Sequence, residues 1–128
     1  MNLLLDTHIW IWSKLDPHRL GKHAARELSN SSNELWLSPV SVWEALVLMQ
    51  KGRIRVDNPF AWVVQAAEQL REAPLTGEIV RTGLALSLSH ADPADRFLAA
   101  TAKVLRLTLV TADRRLLGLP EIQSLANR

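Results

Sequence analysis

Four acidic residues, Asp6, Glu44, Asp95 and Asp113, carry the chemistry that this chain is equipped to do, and Glu44 is the most telling. It interrupts Val40-Ser41-Val42-Trp43-Glu44-Ala45-Leu46-Val47-Leu48-Met49, a run that is otherwise almost entirely apolar. The run is too long for a typical strand and reads as a helix buried on most sides. An ionised carboxylate in such a place is costly unless a cation or hydrogen-bond donors meet it. Asp6 closes the strand-like Leu3-Leu4-Leu5, Asp95 lies near the start of an Ala-rich helix, and Asp113 follows Leu109-Val110-Thr111. Carboxylates at strand ends and helix starts can converge in a folded α/β protein, and several converging carboxylates call for a cation. Magnesium and manganese are hard ions suited to carboxylate and water oxygens. A water kept by such an ion has a lowered pKa and can attack phosphorus, while the ion stabilises charge on the phosphoryl oxygens. The pattern therefore points to a metal-dependent enzyme.

Structural explanations compete with this one. Asp6 can cap the helix after it, Asp113 can cap a short helix through Leu117, and Asp92 is a good N-cap before Pro93 with Asp95 at the capping-box position. Glu44 lies well inside its helix, where the alternative is a buried salt bridge to an arginine. Thr7 and Thr111 can orient ligands or waters from behind the acids, although Thr111 is equally an ordinary β-branched strand residue. Arg96, Arg114 and Arg115 adjoin Asp95 and Asp113 and, as a group, are candidates for phosphate contacts. Each alone reads as surface charge. His8, His18, His23 and His90 lack zinc-ligand spacing, and His90 reads by default as a loop histidine. Trp10, Trp12, Trp36, Trp43 and Trp62 each sit in an apolar run, which favours core packing over base stacking. Trp10 and Trp12 face different ways on a helix, leaving one for an interface.

The elements that must position these residues alternate. Strands are expected at Leu3–Leu5, Glu34–Leu37, Thr108–Val110 and, at an edge, Ile122–Leu125, with a brief one at Leu75–Thr76. Helices are expected over His8–Leu15, Lys22–Leu28, from Ser38-Pro39 to Gly52, from Asn58-Pro59 to about Glu72, over Glu78–Leu86, and from Asp92-Pro93 onward. Such alternation predicts a parallel sheet covered on both faces, with sites beyond the carboxyl ends of the strands. Asp6 and Asp113 both fall there.

At 128 residues, 48% of them apolar, the chain is long enough for one core, and a single domain over 1–128 is expected. With no cysteine, disulfides and thiolate metal sites are excluded, which fits a reducing cytoplasm. No signal peptide or bilayer-length apolar stretch is evident, so no membrane role is expected. A formal charge of +2 does not by itself mark a nucleic-acid binder.

Four segments together resemble PIN-domain proteins, and more closely the VapC-type toxins of bacterial toxin–antitoxin pairs. They are Leu4-Leu5-Asp6-Thr7-His8, Ser41-Val42-Trp43-Glu44, the stretch from His90 to Ala102, and Leu109-Val110-Thr111-Ala112-Asp113. The resemblance spans essentially the whole chain, in order. It implies a three-layer α/β/α fold with a parallel sheet of four to five short strands. It also implies a magnesium- or manganese-dependent endoribonuclease, an RNA substrate, a cognate antitoxin and a homodimer. By position, Asp6, Glu44, Asp95 and Asp113 become the acidic site, Asp92 an additional acid and Thr111 a polar residue before the last acid. Leu48 stands where relatives often carry a lysine, and Leu86-Ser87-Leu88-Ser89 where they tend to have Leu-Pro. The alternative of another class is a non-catalytic RNA- or protein-binding module of the same fold. An aspartate-dependent phosphatase would want Asp-x-Asp after the first strand, and a phosphorelay receiver an acid pair there; Asp6-Thr7-His8 supplies neither.

Overall fold

The computed structural model of the chain describes residues 1–88 and 92–128. Five strands, β1 (Asn2–Leu5), β2 (Glu34–Leu37), β3 (Arg71–Glu72), β4 (Thr108–Thr111) and β5 (Gln123–Ala126), form one sheet in the order β3-β2-β1-β4-β5. Every pairing is parallel, with Leu4 opposite Trp36 on one side and Leu109 on the other. Around the sheet lie α1 (Thr7–Leu15), α2 (Lys22–Ser29), α3 (Pro39–Gln50), α4 (Pro59–Ala66), α5 (Gly77–Ala85), α6 (Pro93–Leu105) and α7 (Arg114–Leu117).

Strand alternation explains the layers. Leu3, Leu5 and Val110 point to one face, into a core with Ile9 and Trp10 of α1 and Ala45 and Met49 of α3. Leu4 and Leu109 point to the other, into a core with Ile79 of α5, Leu98 and Ala99 of α6 and Leu116 of α7. The expected three-layer α/β/α arrangement is what forms, with five strands and β5 at an edge.

The strand order turns back between β1 and β4. Chains leaving these two neighbours depart to opposite faces, and a crevice opens at their carboxyl ends. Asp6 and Asp113 follow β1 and β4, so the topology itself brings them to this crevice. Asp6 N–H continues the pairing by donating to Val110 O at 3.0 Å.

Helix starts follow the sequence closely. Ser38, Asn58, Asp92 and Asp113 each accept a backbone N–H in the first turn of the following helix. The end of α3 is set by Gly52, whose φ of 73° lets Arg53 N–H turn back to Leu48 O. Two expectations need correction. The helix from Pro59 ends at Ala66, well before Glu72, and Arg71–Glu72 instead forms β3 along the outer edge of β2. The brief strand expected at Leu75–Thr76 is absent, because Thr76 caps α5 by accepting from Ile79 N–H. The edge of β2 exposes a row of backbone groups, and satisfying them outweighs the helical preference of the segment.

Candidate active site

Asp6, Glu44, Asp95 and Asp113 each arrive on a different element. Asp6 ends β1 and caps α1, where Thr7 N–H donates to its Oδ1 at 2.7 Å. Its Oδ2 accepts from the Thr111 hydroxyl at 2.6 Å, and Thr111 Oγ1 in turn accepts from Asp113 N–H at 3.0 Å. Asp113 caps α7 by accepting from Arg115 N–H at 2.9 Å. Asp92 caps α6 through Ala94 N–H at 3.0 Å, and Asp95 sits in the first turn of that helix. Capping and site-building are therefore not rivals here. The N-termini of α1, α6 and α7 each bring an acid to the crevice.

Glu44 comes from the middle of α3, in the opposite layer to α6. Its Oε1 accepts from the Thr7 hydroxyl at 2.5 Å, and Thr7 Oγ1 also lies 2.8 Å from Ser41 Oγ. One hydroxyl proton serves one acceptor, and the carboxylate is the stronger, so Ser41 donates back to Thr7. Ser41 stands in the Ser41-Val42-Trp43-Glu44 segment, but the sequence assigns it no role. The signal was its spacing, three positions before Glu44 and hence on the same helix face.

The salt bridge to an arginine, considered for Glu44 from sequence, is not formed among the described residues. Burial raises the Glu44 pKa above its ordinary value, the Thr7 hydrogen bond opposes this, and Asp6, Asp92 and Asp95 push it further up. Asp6 is likewise raised, chiefly by burial; its bonds from Thr111 and Thr7 and the nearby His8 offset part of that, and Asp113 adds to it. Asp6, Thr7, His8, Glu44, Asp92, Asp95, Asp113 and Arg115 all line one groove of about 420 Å³. As placed, no three carboxylate or imidazole groups among the described residues stand close enough to hold an ion jointly. The acids offer hard oxygen donors, which suits magnesium or manganese, and the mutual repulsion around Glu44 is of the kind that a divalent cation relieves.

The three arginines separate. Arg96 Nη1 donates to Gly83 O at 3.0 Å and Nη2 to Leu88 O at 2.9 Å, so this guanidinium braces α6 against the end of α5. Its position beside Asp95 did not announce these two backbone partners. Arg115 reaches Asp113 and lies at the groove, while Arg114 is exposed on α7. His90 lies outside the described residues.

The tryptophans also divide. Trp10 is fully buried and donates to Ala66 O at 3.0 Å, and Trp12 is half-buried. Trp43, expected in the core, is 64% exposed. It lines an apolar groove with Pro39, Pro93 and Phe97 that Glu44 and Asp92 join to the acidic one.

Fold and site define a class: three-layer α/β proteins with a carboxylate-lined crevice at the switch point of a parallel sheet. The PIN domain family matches residues 3–122, and the chain belongs to that family, on its VapC side. It is 36% identical over 116 residues to Ribonuclease VapC22 of Mycobacterium tuberculosis, covering 89% of this chain and 88% of that one. Among solved structures it resembles VapBC2 from Rickettsia felis bound to a DNA fragment from its promoter, with a TM-score of 0.77 and 16% identity over 98% of both chains. It also resembles a toxin-antitoxin complex from Klebsiella pneumoniae, with a TM-score of 0.68 and 20% identity over 98% of both chains. At these identities the two structures speak for the fold alone.

Proposed function

We propose that the chain is an endoribonuclease that depends on magnesium or manganese and serves as the toxin of a toxin–antitoxin pair. The observation that carries this reading is Glu44: a carboxylate in mid-helix, raised in pKa, with Asp6, Asp92 and Asp95 as its charged neighbours. Its similarity to a relative named Ribonuclease VapC22 supports the substrate class, and the VapC-type motifs along the chain support an antitoxin partner.

Asp6, Glu44, Asp95 and Asp113 would hold the ion, with Asp92 at the rim. Magnesium retains several waters and is often held by one or two carboxylates, so loosely gathered acids suffice. When bound, the ion supplies charge stabilisation for phosphoryl oxygens and an activated water. The protein's own part is positional. Thr111 and the Thr7 amide fix both Asp6 oxygens, the Thr7 hydroxyl fixes Glu44, and Ser41 fixes Thr7. Arg114 and Arg115 supply positive charge for the RNA backbone beside the acids. The proposal extends to a single domain over 1–128, a homodimer and a cytoplasmic location. No described helix is long and apolar enough to cross a membrane.

The test is cleavage of an end-labelled RNA pool with magnesium or manganese, against EDTA and against Asp95→Asn. Cleavage by the metal-loaded wild type alone is the expected result. Equal cleavage in EDTA, or by a folded Asp95→Asn protein, would refute the metal-site assignment.

A further inference from the structure

Arg115 differs from the other arginines of this region in what it holds. Its Nε lies 3.3 Å from Asp113 Oδ1 and its Nη2 3.1 Å from Asp113 Oδ2, the two-pronged contact that a planar guanidinium makes with a carboxylate. The same Nη2 is 4.0 Å from Asp95 Oδ2. One side chain from α7 thus spans two acids that the fold delivers separately, one from the end of β4 and one from α6.

Exposure shows which partner can move. The Arg115 side chain is 57% exposed, whereas those of Asp95 and Asp113 are 15% and 25% exposed. The acids are set into the protein, and the guanidinium lies over them from solvent. Arg96 makes the contrast: its guanidinium is fastened to two carbonyls of the scaffold and has no such freedom.

We propose that Arg115 is an exchangeable counter-ion of the acidic site, seated on Asp113 and Asp95 without a metal and released toward the substrate phosphate when one binds. This rests on the metal-dependent reading given above. A divalent cation at these acids needs the oxygen lone pairs that the guanidinium now occupies, and the two positive charges repel. The displaced side chain remains at the rim of the groove, where an RNA phosphate approaches. Arg115 therefore opposes metal binding and favours RNA binding, and the two effects have opposite signs.

The experiment is a calorimetric Mn²⁺ titration of the RNA-free wild type, Arg115→Gln and Arg115→Lys, paired with the KM for RNA cleavage. The Arg115 Nε–Hε NMR signal is followed during Mg²⁺ addition. Arg115→Gln should bind Mn²⁺ roughly two- to fivefold more tightly, which is what one exposed ion pair is worth, and its KM for RNA should rise. Arg115→Lys, a point charge without the fork, should fall between. The NMR signal should move as Mg²⁺ binds. Unchanged or weaker Mn²⁺ binding by Arg115→Gln overturns the inference, as does an NMR signal indifferent to bound Mg²⁺. A wild type that binds neither ion would sink the metal reading and this inference with it, whereas normal wild-type binding with an unaltered Gln variant sinks this inference alone.

Discussion

The Thr111 hydroxyl donates to Asp6 Oδ2 at 2.6 Å while its oxygen accepts from Asp113 N–H at 3.0 Å, so one buried side chain ties together the acids that follow β1 and β4. Both bonds cross the switch point of the sheet. Removing the hydroxyl with little change of shape, as in Thr111→Val, leaves the Asp113 amide without this partner and takes one donor from Asp6. The expected cost is about 1–3 kcal/mol of stability, together with weaker Mn²⁺ binding, since that donor helps keep Asp6 ionised. Urea unfolding and calorimetry measure the two effects. A Val variant that matches wild type in both would show that Thr111 serves only as a strand residue.

Asp6 and Glu44 set the pH dependence of the site. Both have folded pKa values raised above their ordinary 3.8 and 4.5, first by burial. A raised carboxylate binds its proton more tightly in the folded state. Its contribution to metal-free stability is therefore fully present below the ordinary pKa and is lost as pH rises through the folded one. Metal binding requires the ionised form and runs the other way. Mn²⁺ affinity should accordingly fall with acidification at a pH above the ordinary carboxylate range, while the metal-free protein gains stability from these two groups over the same interval. Calorimetric titrations across a pH series give the midpoint. One at or below the ordinary values would contradict the raised pKa values.

Much of the site was legible because it depends on local rules. An acid after a strand, an acid at a helix start and a carboxylate inside an apolar helix are recognisable without a fold, and all four acids line the same groove. What escaped the sequence was decided by distant partners. Arg71 and Glu72 continue a helical pattern, but β2 needs an edge partner and takes them. Arg96 and Arg115 both neighbour an acid in sequence, yet one is turned to carbonyls and the other to carboxylates. Trp43 reads as core within its apolar run. Its outward position was signalled by Gln50, which is exposed seven residues later on the same face of α3.

Gly21 is a purely structural test. A Cβ there would fall 1.6 Å from the Arg128 carbonyl carbon, a backbone atom. The segment concerned is held firmly: Ala24 N–H donates to Arg128 O at 3.0 Å, Gly21 N–H to Asn127 Oδ1 at 2.8 Å, and Asn127 Nδ2 to Arg19 O at 3.0 Å. Gly21→Ala must push this segment away, at a cost of about 1–3 kcal/mol, with little effect on Mn²⁺ affinity. Denaturant unfolding and a metal titration check the pair of outcomes. An Ala variant as stable as wild type would mean that the last two residues contribute nothing there.

Glu44 supplies the sharpest separation of function from stability. Glu44→Gln retains an amide oxygen to accept from Thr7 but removes a charge that burial and three acidic neighbours disfavour. In EDTA, at a pH above the raised Glu44 pKa, where the wild-type group is ionised against these costs, the Gln variant should melt a few degrees higher. Adding Mn²⁺ should reverse the order, because only the wild type gains the full stabilisation by mass action. RNA cleavage by Glu44→Gln should be lost at the same time. A variant less stable than wild type in EDTA would show that the bond from Thr7 outweighs the costs of the Glu44 charge in the metal-free protein, and the argument that this charge is held for a cation would fail.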